Sequence, residues 1–282
     1  MLIGIIGNGF VGKATRQLEC SSVKTLVYDI NPSLCVPENL SIEDLKQCEV
    51  IFVSVPTPMQ KDGSCYLNIV HTVLENLKSI DYQGFIIIRS TVPVGTCDEL
   101  GCYFMPEFLT EKNFINDFIN NKNWIFGLLG KDEERDSVFK EKMNQLFAHA
   151  VQEERVVYSK TTFLTNKEAE MVKMFRNCFL SAKISFCNEV YEFCELKGIE
   201  YDNVRKIACD DDRIALSHTS VPGHDGRRGF GGTCFPKDTS SLRFEMTKAG
   251  MTPHVLNAII ERNETVDRVE KDWANSHGRA VV

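Results

Sequence analysis

Apolar residues along this chain follow two rhythms. Up to about residue 164, short unbroken apolar runs alternate with segments of helical spacing. LIGII (2–6), VKTLVYD (23–29), EVIFVSV (49–55), FIIIRS (85–90) and WIFGLLG (124–130) read as strands, while KATRQLEC (13–20), residues 67–79 and residues 132–148 read as helices. Fully apolar strands separated by helices predict a mostly parallel sheet covered on both faces, because each crossover helix lies over one face. From residue 165 the rhythm changes. NKEAEMVKMFRNCFLSAKISFCNEVYEFCELKG keeps apolar residues at helical spacing with neither Gly nor Pro before Gly198, which predicts one long helix. Helices of this length cross between domains or build a subunit interface, since one small domain cannot cover so much apolar surface. A second, mainly helical region follows, interrupted by the Gly/Pro/Asp-rich DDDRIALSHTSVPGHDGRRGFGG (210–232), and HVLNAIIERNETVDRVEKDWANSHG (254–278) predicts a helix running almost to the end. The expected class is α/β: a Rossmann-type domain over 1–164 and a mainly helical domain over 165–282, with no internal repeat.

The turns carry the first candidate chemistry. Gly7-Asn-Gly9-Phe10-Val11-Gly12 stands between an apolar run and a helical segment, and the next apolar run ends at Asp29. In that context the first glycine permits a tight turn, the second lets the backbone approach a pyrophosphate, and the third lets helix pack on strand. Asp29 is placed to accept hydrogen bonds from a ribose diol and to repel a 2′-phosphate, so NAD is favoured over NADP. VPTP (55–58) and STVPVGT (90–96) gather Pro56, Thr57, Ser90 and Thr91 at strand carboxyl ends. That is where open α/β sheets bind ligands, although simple turn chemistry accounts for such loops equally well.

Composition narrows the partners. A formal charge of −7 and a pI near 5.5, with no dense Lys/Arg patch, argue against nucleic acid or an anionic membrane. No run of about 18 apolar residues and no signal segment occurs, so a soluble cytoplasmic protein is expected. The eleven cysteines are odd in number and scattered, which favours reduced thiols over a disulfide framework. With no CxxC pair and no histidine at ligand spacing, no metal site is expected. Most of these thiols read as small buried hydrophobes. Cys234 differs: GFGG before it lets the backbone pass close to a ligand, FPKD resembles the start of a helix, and Asp238 follows at i+4, so thiol and carboxylate would share a cleft. A thiol beside a nicotinamide suits aldehyde oxidation through a thiohemiacetal and a thioester.

These motifs, with PEFL (106–109), K-x-x-x-N (173–177), N-E (188–189) and GFGGTCFPKD (229–238), run in one order along the chain, and in that order the sequence resembles the UDP-glucose/GDP-mannose dehydrogenase family. The resemblance implies a twofold oxidation of a nucleotide-sugar C6 alcohol to the carboxylate, UDP-glucose to UDP-glucuronate, with NAD as cofactor. It implies that Cys234 is the nucleophile, that Asp238 acts with a water in proton transfer, and that Lys173 and Asn177 stabilise the oxyanion. Thr91 and Glu107 would hold the catalytic water, and Lys237 would add positive charge. Phe108, Leu109, Glu111, Phe230 and Gly231 would face the sugar nucleotide, and Arg213 would reach a neighbouring subunit's substrate, although the interval from Arg213 to Cys234 is longer than the family's pattern and Arg227 or Arg228 could share that role. Read without the family, Lys173, Glu107 and Glu111 are equally ordinary solvated charges. A homodimer through the long helix is expected. Family members continue into a second Rossmann-like domain, so this chain is expected to be either a fragment or a minimal enzyme. The alternatives are a catalytically silent NAD-binding assembly module, or a dehydrogenase of GDP-mannose or a UDP-N-acetyl sugar.

Overall fold

The computed structural model describes residues 1–282, which divide by compactness into two units: Met1–Thr57 with Leu67–Lys173, and Pro58–Tyr66 with Met174–Val282. In the first unit the apolar runs pair into one seven-stranded sheet of β1 (Leu2–Ile6), β2 (Lys24–Tyr28), β3 (Val50–Val53), β4 (Phe85–Ile88), β5 (Tyr103–Phe104), β6 (Trp124–Leu128) and β7 (Thr161–Thr165). The spatial order is β2-β1-β3-β4-β5-β6-β7, parallel at every pairing except the antiparallel β5–β6. The parallel, two-sided sheet expected from the sequence is present. Alternate residues of one strand enter different cores: Val50 and Phe52 pack on one face with Ile3, Phe126 and Phe139, and Ile51 and Val53 pack on the other with Val70, Leu77 and Ala169. Period-two alternation inside a wholly apolar strand is what a sheet buried on both sides requires.

The helices of this unit are α1 (Phe10–Thr15), α2 (Asn68–Ser79), α3 (Thr96–Leu100), α4 (Phe114–Ile119) and α5 (Glu133–Gln152), the last capped by Asp132, whose Oδ1 accepts the Arg135 N–H at 2.9 Å. The first helix departs from expectation. It begins at the glycine turn, where Lys13 N–H donates to Gly9 C=O at 2.9 Å, and gives way to a 3₁₀ turn at Arg16–Leu18. Chain order reverses at β1, which is flanked by β2 and β3, and ligands of open α/β sheets bind beyond the strand carboxyl ends at such a point.

The long helix α6 (Asn166–Lys197) forms over 32 residues as the uninterrupted pattern predicts. Its first two turns, through Lys173, belong to the first unit, and the remainder to the second. The second unit adds α7 (Tyr201–Ala208), α8 (Phe235–Lys248), α9 (His254–Arg262) and a small hairpin in which Met59 bridges Cys65 and also pairs with Val281. The helix expected over 254–278 stops at Arg262 and continues only as a π turn, Asn263–Asp267. The cause is polar anchoring, since the buried Asn263 gives both ends of its amide to the backbone of Phe230. One face of α6 is uncovered: Phe175, Phe179, Phe186 and Phe193 are each more than half exposed (61, 60, 68 and 55%).

Candidate active site

The glycine turn after β1 is shaped as its spacing predicts. Gly7 has φ +93, and a Cβ there would meet the Ser54 carbonyl oxygen at 2.5 Å; at Gly12 a Cβ would lie 1.9 Å from the Gly7 carbonyl oxygen. Gly9 differs, because no atom lies within 4 Å of where its Cβ would stand. Two glycines are therefore fixed by the fold, and the middle one faces open space, the arrangement a dinucleotide pyrophosphate needs. Asp29 closes this corner: its carboxylate accepts the N–H groups of Asn8 at 2.7 Å and Asn31 at 2.9 Å. Phe10 packs edge-on against Phe114, and the Val11 carbonyl accepts from Thr15 Oγ1. The residues present fit NAD.

Beyond β3 and β4 the two expected loops are tied to each other. Ser90 Oγ donates to Val55 C=O at 2.6 Å, and Thr57 Oγ1 donates to Thr91 C=O at 2.7 Å, which fixes the peptide between Val55 and Pro56 and holds Thr91 just beyond the carboxyl end of β4. Glu170, one turn before Lys173, is fully buried and accepts the Gly95 and Cys97 N–H groups at 2.5 and 2.8 Å. Burial pushes its carboxyl up, against the two amides that favour the charged form. Pattern reading missed Glu170; its position at i−3 from Lys173 was the available signal. Lys173, 3% exposed, donates to the Glu107 carbonyl and to Oε1, both at 2.7 Å, and Glu107 Oε2 accepts the Leu109 N–H at 2.8 Å. Phe108 lies under the ammonium at 5.7 Å. Neither charge is a solvated surface group, and a buried pair of this kind is retained only where geometry offsets its desolvation. Glu111 is exposed in the turn before α4.

In the second unit, Cys234 occupies the position that opens α8, where Asp238 N–H donates to its carbonyl at 2.8 Å. The Cys234 thiol is partly buried, with Thr233 Oγ1 at 3.9 Å. Asp238 is fully buried; it accepts from Lys237 Nζ and from Asn177 Nδ2, each at 2.6 Å. Burial opposes the Lys237 charge, but Asp238 and the thiols of Cys65 and Cys234 outweigh it, so this ammonium is held protonated well above the usual lysine range. The attraction between Lys237 and the Cys234 thiol sets the two beside each other at the start of α8. Cys178, next to Asn177 in the chain, is the contrast: burial and Asp238 push its thiol up to about 12.

The glycines before Cys234 have a different cause from the expected close approach to a ligand. A Cβ on Gly229 would meet Asn263 Oδ1 at 2.4 Å, and one on Gly231 would meet the Arg268 guanidinium at 2.5 Å, so protein side chains fill that space. Only Gly232, at φ +71, has nothing near its Cβ position. Phe230 is buried, and Arg213, 89% exposed, is held by Asp211 in the loop after α7. The expected residues thus form two groups, one in each unit, and α6 carries members of both: Lys173 and Asn177 stand one turn apart on it.

Comparison with known sequences finds two matched ranges. Residues 31–151 match the NAD binding domain of the UDP-glucose/GDP-mannose dehydrogenase family, and residues 167–265 match the central domain of the same family. The chain belongs to this family. The matched NAD binding range falls largely within the first unit, and the glycine turn at 7–12 lies ahead of it. Among the family's curated members, the UDP-glucose 6-dehydrogenase of Pseudomonas aeruginosa is 31% identical over 239 residues, 78% of this chain and 49% of that protein. The UDP-glucose 6-dehydrogenase TuaD of Bacillus subtilis is 31% identical over 258 residues, 84% and 52% of the two chains. The chain spans about half the length of these relatives. Among solved structures, a UDP-glucose dehydrogenase from Pyrobaculum islandicum superposes with a TM-score of 0.75 at 24% identity over 93% of this chain and 68% of that one. A UDP-D-ManNAc dehydrogenase from Pyrococcus horikoshii gives the same TM-score at 20% identity, covering 98% and 70%. At these identities the structures establish the shared fold. No helix is long and apolar enough to cross a membrane.

Proposed function

We propose that this chain carries out the NAD-dependent oxidation of a nucleotide-sugar C6 alcohol to the carboxylate, with UDP-glucose as substrate and Cys234 as nucleophile. The observation that carries the reading is Cys234 at the start of α8, next to a buried Lys237–Asp238–Asn177 network whose ionic cost a purely structural helix start does not call for. NAD, held by the glycine turn and Asp29, supplies the hydride acceptor for both oxidations. In the first, the C6 hydroxyl gives up its proton to a water governed by Asp238, and the carbon becomes an aldehyde. The Cys234 thiolate then adds to the aldehyde carbon, forming a C–S bond and an alkoxide. Lys173 and Asn177 donate hydrogen bonds to that oxygen. Loss of the C6 hydride from that alkoxide restores the C=O bond and leaves a thioester on Cys234. Water, oriented by Thr91 and Glu107, breaks the C–S bond, releases the carboxylate and returns the thiol.

Phe108, Leu109, Glu111, Phe230 and Gly231 are assigned to the sugar nucleotide, and Arg213, extended into solvent, to a neighbouring subunit's substrate. The exposed phenylalanine face of α6 supports a homodimer, since four large apolar side chains exposed along one helix face mark an interface. The test is a count of NADH per sugar with UDP-glucose, GDP-mannose and UDP-N-acetylglucosamine offered separately to the purified chain. Two NADH per UDP-glucose support the reading. Two per GDP-mannose or per N-acetylated sugar move the substrate assignment, and no NADH with any sugar returns the chain to a silent NAD-binding assembly module.

A further inference from the structure

The loop that delivers Cys234 is not held by its own glycines but by side chains from the segment after α9. Asn263, 1% exposed, accepts the Phe230 N–H on Oδ1 at 2.8 Å and donates Nδ2 to the Phe230 carbonyl at 2.9 Å, taking both backbone groups of one residue as a neighbouring strand would. Arg268, 2% exposed, is itself immobilised: Nε and Nη2 donate to Asp272 at 2.9 and 2.8 Å, and Nη2 donates also to Asp225 at 2.5 Å. Its Nη1 donates to the Arg228 carbonyl at 3.3 Å, and its guanidinium fills the space where a Cβ on Gly231 would stand. Asn188 Oδ1 accepts the Gly229 N–H at 3.2 Å. Residues 228–231 are therefore pinned one after another, ending three residues before the thiol. Gly232, with a left-handed backbone and open space, makes the last turn into α8.

We infer that Asn263 and Arg268 are positioning residues for Cys234: they fix the height and direction of the glycine loop and so set where the sulfur stands. This rests on the assignment of Cys234 as nucleophile. A polar clamp of this kind suits a reaction in which a displacement of about 1 Å in the nucleophile costs on the order of a hundredfold in rate. Neither residue is assigned contact with substrate; their action passes through Phe230, Gly231 and the turn at Gly232.

The test uses the chain as it is and reads each thiol separately. Alkylation by iodoacetamide at neutral pH is followed by peptide mass mapping, with the partly buried Cys20 and Cys209 as internal references, for the unaltered chain, Asn263→Ala and Gly231→Ala. A general loss of stability would speed all three thiols together. The expected result is a change confined to Cys234, about tenfold relative to the references in both variants. Arg268→Lys, which keeps the charge but not the planar support, should change it less. Should Asn263→Ala not fold, Gly231→Ala and Arg268→Lys decide the matter. An unaltered ratio of Cys234 to reference rates in the folded variants would overturn the inference. If instead the ratio shifts while Cys234→Ser still releases carboxylate at full rate, the clamp stands and the catalytic assignment falls.

Discussion

Removing the Lys237–Asp238 pair one side at a time and then together separates a structural contact from a buried charge network. Asp238 is fully buried and accepts Lys237 Nζ and Asn177 Nδ2, each at 2.6 Å, while Lys237 is 7% exposed. Asp238→Leu leaves a buried ammonium without its counter-charge and an amide N–H without its acceptor, a loss of about 3–5 kcal/mol. Lys237→Met leaves a buried carboxylate with one neutral donor, again about 3–5 kcal/mol. The double variant replaces the pair by apolar groups of similar volume. Its loss should fall at least about 3 kcal/mol short of the sum of the singles. The assay is urea unfolding in a Trp124→Phe background, where fluorescence reports only Trp273, which is 4% exposed and lies in the second unit. Activity should be absent in all three even where stability returns. Losses that add to within about 0.5 kcal/mol would refute the reasoning, because independent sites behave that way.

Four other outcomes follow from the same geometry. Gly9→Ala should fold normally yet bind NAD at least about tenfold more weakly, whereas Gly12→Ala, whose Cβ would stand 1.9 Å from a carbonyl oxygen, should not give a folded first unit; circular dichroism and calorimetric titration distinguish them. Asp29→Ala should weaken NAD by roughly 1.5–3 kcal/mol, about tenfold or more in Kd, and an unchanged Kd would place the ribose elsewhere. Burial pushes the thiols of Cys48, Cys102 and Cys178 from 9.0 up to about 12. Because the folded state keeps them neutral, their contribution is complete below pH 9 and is lost as the pH rises toward 12, at about 1.4 kcal/mol per pH unit for each thiol, so melting temperatures should drop across that window and drop less in Cys102→Ala. Phe186→Glu, on the exposed face of α6, should convert a dimer to monomer in sedimentation without changing the melting of the isolated subunit; a dimer that persists would locate the interface on another face.

What the sequence made legible was whatever local pattern determines. The five strong apolar runs became β1–β4 and β6, the glycine turn took its expected shape, and α6 ran unbroken to Gly198 because no breaker intervenes. Cys234 and Asp238 could be marked because they stand at helical spacing behind a glycine run, whereas Lys173 and Asn177 were marked by the resemblance to the family alone. Features set at long range were not legible. β7, TTFLT, is half-buried and carries no apolar run, and the two residues of β5 form a strand only by adding to β4. Where α9 ends is decided by Asn263 meeting Phe230 33 residues away, and no helix-stop residue announces it. The glycines before Cys234 pointed to a close approach to a ligand, and only the fold reveals that Asn263 and Arg268 fill the space beside Gly229 and Gly231. The ion pair of Lys173 likewise depends on Glu107, 66 residues away.

Central to the account is a covalent bond between the sugar's C6 and one sulfur. The direct measurement is acid quenching of the chain with NAD and UDP-glucose during turnover, peptide mapping of the region around Cys234, and a parallel run with Cys234→Ser. The account expects the mass of the sugar nucleotide on the Cys234 peptide and no carboxylate from the variant. UDP-glucuronate formed by Cys234→Ser at an undiminished rate would contradict it.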